Sequence, residues 1–261
     1  MQRTPIVPNP EDFPALFHPL LMNCPVYDSS CSRKARVYYI EKEQGFYLKT
    51  APKGTLSREA EMTRFFHSRH LGAQVLTYES LDADWLLTER IPGEDCIHAM
   101  YLEDPRRLSA TTGELLRMLH SLPTDGCPVT DHTARYLATA EENYRSGHYD
   151  ADLFPDNWGF RSPEEAWQAI ETGRRLLHTD TLLHGDYCLP NIMLDTWKFT
   201  GFIDVDHGGI GDRHVDLFWG IWTLGFNLKT NAYRDRFLDA YGRDKVDEEF
   251  LRIIAACEVF G

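Results

Sequence analysis

The chain lacks the features that would place it in several broad classes. Its six cysteines, Cys24, Cys31, Cys96, Cys127, Cys188 and Cys257, are scattered without a Cys-x-x-Cys pair, so neither a zinc site nor a small disulfide scaffold is indicated. No stretch approaches the roughly 20 apolar residues that a transmembrane helix needs, and no membrane association is expected. Met1–Pro10 holds three prolines and no apolar run, which reads as neither a secretory signal nor an anchor and makes a reducing cytoplasm the default. Positive charge is also scarce. Lys and Arg number 27 against 40 Asp and Glu, a net charge of −13. Nucleic-acid binding depends on Lys and Arg neutralising phosphates, so that class is disfavoured and the field suits a cationic partner.

A chain of 261 residues can form one large domain or two lobes. Its first third reads as mixed sheet and helix. A helix is expected over Pro10–Met22, then a hairpin from Arg36–Ile40 and Gly45–Lys49, whose aromatic and β-branched residues flank a polar turn. Pro52 and Gly54 break that pattern, and Thr55 is placed to cap a helix with Leu56, Met62, Phe65 and Phe66 on one face. Val75–Thr77 and Trp85–Thr88 read as strands. At Arg90–Gly93 the composition turns helical, which divides the chain into an N-terminal lobe, 1–91, and a C-terminal lobe, 92–261. Asp104 followed by Pro105 is a helix start, Leu108, Leu115 and Leu119 carry its stripe to His120, and Ser162–Glu165 has capping-box form. Further helices are expected near 212–228, 231–240 and 246–259, with short apolar runs at Ile192–Leu194 and Phe199–Ile203.

The chemistry-bearing segment is Leu183–Asn191, Leu-His-Gly-Asp-Tyr-Cys-Leu-Pro-Asn, followed by Gly201–Asp204, Gly-Phe-Ile-Asp. An Asp, an Asn five positions on and an Asp closing the next strand have the spacing of a kinase catalytic loop. A carboxylate on a rigid loop, Asp186, can accept the proton of an attacking hydroxyl. The amide of Asn191 and the carboxylate of Asp204 can converge across a hairpin on Mg²⁺. A competing class is a metal-dependent hydrolase, because Asp206, His207, Asp212, His214 and Asp216 crowd the segment that follows.

These motifs resemble the aminoglycoside phosphotransferase family, the 3′-phosphotransferases in particular, and the resemblance runs from Val37-Tyr38 through Gly211–Arg213 and Asp216-Leu217 to the last helix. It implies an α+β, protein-kinase-like fold of two lobes, an antiparallel sheet with a helix and then a mostly helical lobe. It also implies ATP or GTP as donor, Mg²⁺, and transfer of the γ-phosphoryl group to the 3′-hydroxyl of an aminoglycoside, with antibiotic resistance as the consequence. Lys49 is then the phosphate-binding lysine, oriented by Glu59, in accord with the suitability of a strand lysine with a carboxylate partner. No Gly-x-Gly-x-x-Gly loop precedes Lys49; Ser30 and Ser32 are candidates for covering the phosphates, and main-chain groups of Glu89 and Ile91 for holding the purine. Aminoglycosides are polycations, which a ring of carboxylates complements, and Asp156 and Glu258 fall at positions of that ring. Cys257, Phe226, Asn227 and His207 depart from the family pattern. Alternatives are a kinase of another hydroxylated small molecule, such as a different antibiotic, an amino alcohol or a sugar, and a nucleotide-binding pseudokinase. Trp219, Trp222 and Phe226, at helical spacing, are expected to pack in the core.

Overall fold

The computed structural model describes residues 3–31, 34–150 and 158–261. In chain order the first elements are β1 (Thr4–Ile6), the short α1 (His18–Leu21), β2 (Val26–Asp28), β3 (Arg36–Ile40) and β4 (Phe46–Pro52). Then come α2 (Ser57–Ser68), β5 (Val75–Ser80), β6 (Ala83–Glu89), β7 (Glu94–Asp95) and the helices α3 (Ala99–Leu102), α4 (Pro105–His120), α5 (His132–Ser146) and α6 (Pro163–Gly173). Strands β8 (Thr181–Leu183), β9 (Ile192–Asp195), β10 (Lys198–Phe202) and β11 (Gly209–Gly211) precede α7 (His214–Leu228), α8 (Arg234–Tyr241) and α9 (Glu248–Glu258).

Contacts divide the chain into two compact units, Met1–Asp95 with Pro190–Asp206, and Cys96–Leu189 with His207–Gly261. The first unit is built on a six-stranded antiparallel sheet in the order β1-β2-β3-β4-β6-β5. Alternation along β3 and β4 puts Ile40, Phe46 and Leu48 on one face, where they pack with Phe13, Phe17, Val26 and Trp85. The other face takes α2 through Leu56 and Ala60 packed with Ala51 and Leu86. β9 pairs with β10 and, on its other edge, with β7, so the hairpin that follows the His-Gly-Asp segment belongs to this unit.

The second unit is helical apart from the short β8–β11 pair. α4 begins where the sequence predicts: the Asp104 side chain accepts the Arg107 N–H and Pro105 occupies the first turn. Leu108, Leu116 and Leu119 are fully buried on its inner face. Gly113 lets α8 approach closely, since a Cβ there would collide with the Phe237 carbonyl. α9 is apolar over Ile253–Cys257, all buried.

Three sequence expectations are corrected. Pro10–Met22 is not one helix but two 3₁₀ turns, Pro10–Asp12 and Ala15–Phe17, ahead of α1, because Pro14 and Pro19 interrupt the helical hydrogen-bond ladder. Thr55 does not cap α2; its hydroxyl donates to the Pro52 carbonyl at 2.7 Å. Trp219 and Trp222 are only partly buried, and Phe226 is 55% exposed, whereas Leu217 and Leu224 on the opposite face of α7 are buried. The helix α5 is also present, where the sequence reading placed none.

One buried carboxylate ties the first unit together. Asp84 accepts from the Leu56 N–H at 2.9 Å, the Tyr78 hydroxyl at 3.1 Å and the Ser80 hydroxyl at 2.6 Å, joining β6 to the start of α2. Burial opposes its charge, but donors from Ser80, Gly54 and Leu56 outweigh burial and hold the carboxyl down at about 2. Asp84→Asn turns one acceptor oxygen into a donor facing donors and should cost about 2–4 kcal/mol of stability at pH 7. The folded pKa lies below the unfolded value of about 3.9, so this stabilisation is present above that pH and fades as pH falls toward 2. Urea unfolding curves of wild type and Asp84→Asn should therefore separate at pH 7 and converge near pH 2.5. Equal separation at both pH values contradicts the account.

Candidate active site

In the first unit the strands deliver a cation to two carboxylates. Lys49 sits on β4 between its β3 partner Val37 and its β6 partner Leu86. Its Nζ donates to Glu59 at 2.8 and 2.9 Å and to Asp204 Oδ1 at 3.0 Å. Glu59 lies in the first turn of α2, 7% exposed. Burial raises its pKa, Lys49 pulls it down, and Asp204 and Asp206 push it up again. Burial likewise works against the Lys49 ammonium, but Asp204 and Glu59 outweigh it and raise the pKa, so the lysine stays charged.

The β9–β10 hairpin sets the other half of this cluster. Phe202 pairs with Ile192, and just beyond that pair the Ile203 N–H donates to the Asn191 carbonyl at 3.0 Å. The hairpin's open end thus brings Asn191 and Asp204 to neighbouring positions. Asp204 has φ of 54°, a left-handed backbone that a non-glycine residue holds only when its surroundings impose it, and such residues concentrate at functional sites. The carboxylate of Asp204 and the amide oxygen of Asn191 are hard oxygen donors of the kind Mg²⁺ prefers, which fits the metal implied by the sequence.

In the second unit β8 runs into the His184-Gly185-Asp186 loop, and Asp216 from the first turn of α7 holds that loop in place. Asp216 is fully buried. It accepts from the backbone N–H groups of His184 and Gly185, each at 2.7 Å, and from His120 Nε2 at 3.0 Å. Although burial opposes its charge, His120, His184 and the backbone donors lower its pKa. His120 of α4 receives the Tyr241 hydroxyl of α8 at Nδ1, 2.9 Å away, so Nε2 carries the proton; burial lowers the His120 pKa and keeps the ring neutral. Gly185 is required, since φ is 84° and a Cβ would overlap the His207 carbonyl. The next residue, Asp186, is half-buried, and its N–H donates to His184 Nδ1 at 3.3 Å.

Around Asp186 the same unit contributes α7 and α9. The Leu189 N–H donates to Thr223 Oγ1 at 3.1 Å, and Asn227 donates to the same oxygen. Glu258 accepts from the Tyr136 hydroxyl at 2.5 Å. Burial, and next the charge of Asp186, push the Glu258 carboxyl up to about 7, against donors from Tyr136 and Trp219. The Cys188 thiol is pushed up by burial and by Asp186.

The remaining predicted residues sort as follows. Ser30 Oγ accepts the Val37 N–H at 2.9 Å, which closes the β2–β3 loop. The Glu89 N–H donates to the Gln74 carbonyl at 3.0 Å, and Ile91, two residues on, is buried. Ser32 and Asp156 lie outside the described residues. Asp212 and His214 bond to each other at 2.7 Å, and His214 Nε2 accepts the Asp247 N–H. Among the described residues no group of three His, Cys, Asp or Glu side chains is placed to hold a metal, and the acceptors of Asp212 and Asp216 are taken by backbone donors. His120, Tyr136, Thr223 and Tyr241 were not singled out from sequence; Leu-His before a helix end carries no local sign of a partner on α7.

A model of the APH phosphotransferase enzyme family matches residues 32–254. The chain belongs to this family. It is 50% identical over 97% of both chains to a probable aminoglycoside 3′-phosphotransferase of Lactococcus lactis subsp. lactis (strain IL1403), and 28% identical to an aminoglycoside 3′-phosphotransferase of Streptomyces fradiae over 84% of this chain and 87% of that one. Among solved structures, an aminoglycoside-3′-phosphotransferase of type VIII superposes with a TM-score of 0.74 at 25% identity, covering 90% and 91% of the two chains. A Streptomyces rimosus aminoglycoside phosphotransferase in complex with ADP and streptomycin gives 0.68 at 22% identity, covering 85% and 90%. The phosphotransferase fold is therefore the α+β, protein-kinase-like one, and this chain is a kinase of that family.

The bracing of the His-Gly-Asp loop in this phosphotransferase is testable. His120→Gln keeps a donor toward Asp216 but loses the bond to Tyr241, and His120→Leu leaves a buried carboxylate short of one donor. We expect His120→Leu to lower stability by about 2–3 kcal/mol and His120→Gln by less than about half of that. Thermal unfolding of the two proteins measures it. Equal losses would separate His120 from the Asp216 network.

Proposed function

We propose that the chain transfers the γ-phosphoryl group of ATP or GTP, with Mg²⁺, to the 3′-hydroxyl of an aminoglycoside and so confers antibiotic resistance in the cytoplasm. The observation that carries this reading is the convergence of Lys49, Glu59 and Asp204, from positions as far as 155 residues apart, into one charged cluster. A hydrolase of small molecules has no need of such a cluster, whereas a phosphoryl donor does. Lys49, held extended by Glu59, offers its ammonium to the nucleotide phosphates. Asn191 and Asp204 would hold Mg²⁺, which when bound neutralises charge that builds on the transferring group. Asp186 accepts the proton of the attacking hydroxyl, and the bonds from Asp216 to its loop fix where that carboxylate stands. Glu258 meets an ammonium group of the acceptor. A relative that shares half of its residues with this chain, a probable aminoglycoside 3′-phosphotransferase, supports the acceptor class.

Asp186→Ala should lower kcat on the order of 10²–10⁴-fold while nucleotide affinity changes little, since the base acts on the acceptor. Nucleotide consumption that depends on added aminoglycoside, followed with fluorescent-nucleotide binding, tests this; turnover near wild type in a folded variant removes Asp186 from the mechanism. Asp204→Asn should raise the Mg²⁺ concentration needed for half-maximal rate, because a neutral amide is a poorer ligand for a hard cation. An unchanged Mg²⁺ response argues that Asp204 only orients Lys49.

The raised pKa of Glu258 sets a pH dependence. Below about 7 the carboxyl is protonated and cannot pair with an ammonium; above it the pair forms. KM for the acceptor should fall about tenfold between pH 6 and pH 8 in wild type and stay level in Glu258→Gln. Parallel profiles in the two proteins would assign the dependence to the acceptor's own amines.

A further inference from the structure

The partly exposed face of α7 ends in a cavity of about 520 Å³ within the second unit. Its walls include Trp158, Phe218, Trp222 and Phe226, with Lys229 and Arg234 at the same cavity. None of its described lining residues is a carboxylate. Trp222 and Phe226 stack at 4.9 Å and 9°, Lys229 Nζ stands 4.2 Å from the Phe226 ring, and the Arg234 guanidinium lies 5.5 Å from Trp158. Arg234 is paired with Glu248 at 2.6 and 2.7 Å. Lys229, at the left-handed C-cap of α7, is exposed and stands over the Phe226 ring.

This cavity lies along the same helix that anchors the catalytic segment. Trp219, Trp222 and Phe226 share one face at helical spacing. Trp219, one turn before Trp222, donates to Glu258, whose charge is coupled to Asp186. Thr223, next to Trp222, accepts the Leu189 N–H. An acceptor held at Glu258 and Asp186 therefore has the aromatic stripe as the continuation of its binding surface.

The lining decides what part of an acceptor fits there. Aromatic faces carry a negative quadrupole that attracts the weakly positive C–H edge of a sugar ring, and would also attract an ammonium group. Here the rings are already engaged by the protein's own cations, and the ammonium of Lys229 repels a second one. Thr230 and Asn231, also in the lining, offer groups that donate to and accept from hydroxyls.

We infer that this cavity is an acceptor subsite for an uncharged, hydroxylated ring, and that Lys229 disfavours acceptors that place an ammonium group in it. The inference rests on the aminoglycoside reading given above. Among the described residues the carboxylates that meet an acceptor's ammonium groups stand at the Glu258 end of the surface, and the cavity end selects against positive charge through Lys229.

The test uses the full chain with ATP and Mg²⁺ and two acceptor pairs, paromomycin with neomycin and kanamycin A with kanamycin B, in each of which one hydroxyl of the first member is an ammonium in the second. Lys229→Met should reduce the hydroxyl-over-ammonium ratio of kcat/KM at least about fivefold in one pair, through KM, with kcat within about twofold. Lys245→Met, an equal charge change on an exposed residue away from the cavity, should leave the ratio unchanged. Trp222→Ala should raise KM for all four. A ratio that stays within about twofold of wild type in both pairs, or that Lys245→Met shifts equally, overturns the subsite while leaving the kinase reading in place. If wild type binds nucleotide and phosphorylates none of the four, the aminoglycoside reading itself fails and the subsite with it.

Discussion

The carboxylate of Asp216 accepts from two consecutive backbone N–H groups and from a neutral imidazole, with no exposure to water. The His-Gly-Asp loop of the second unit depends on that arrangement. A buried charge is tolerable only when its lone pairs are filled, so Asp216 fixes the positions of His184 and Gly185, and through them of Asp186. The imidazole that completes it is fixed in turn by Tyr241, which joins α4, α7 and α8 around the loop. The loop's place is set by a network in which each bond supports the next. The first unit follows the same logic with opposite sign: the buried carboxylate of Glu59 is satisfied by a lysine, and the lysine is thereby aimed at Asp204.

Legibility from sequence followed the range of the interactions. Local signals were read correctly where the determinants lie within one turn, as with Asp104 and Pro105 opening α4 or Ser162 capping α6 at Glu165. The stretch from Pro10 to Met22 was misread because apolar spacing suggested a helix while Pro14 and Pro19 prevented one. Asp186, Asn191 and Asp204 were singled out by their spacing, and for two of them the spacing is itself the constraint: an Asn just before one strand and an Asp just after the next come to neighbouring positions when the two strands form a hairpin. Lys49 was singled out through the resemblance to the family, and the structure pairs it with Glu59 and Asp204. His120 was invisible, since its partner on α7 is 96 residues away and nothing adjacent to it in the sequence differs from a helix end.

The aromatic stripe of α7 shows the limit of periodicity. Spacing correctly put Trp219, Trp222 and Phe226 on one face, but spacing does not say whether a further layer covers that face. Phe226 stands open beside a cavity, with a lysine against its ring. The resemblance to the family implies a carboxylate pair where Phe226 and Asn227 stand. The structure adds what replaces them, an aromatic and cationic lining that changes the kind of group the surface accepts.

The central claim is phosphoryl transfer to a carbohydrate hydroxyl, and the product's own phosphorus nucleus reports it most directly. Purified chain, ATP, Mg²⁺ and paromomycin should yield a new phosphomonoester resonance that correlates, in a two-dimensional ¹H–³¹P spectrum, with the proton on the 3′ carbon of the acceptor. A spectrum in which the only new signal is inorganic phosphate would contradict the account and point to hydrolysis of the nucleotide alone.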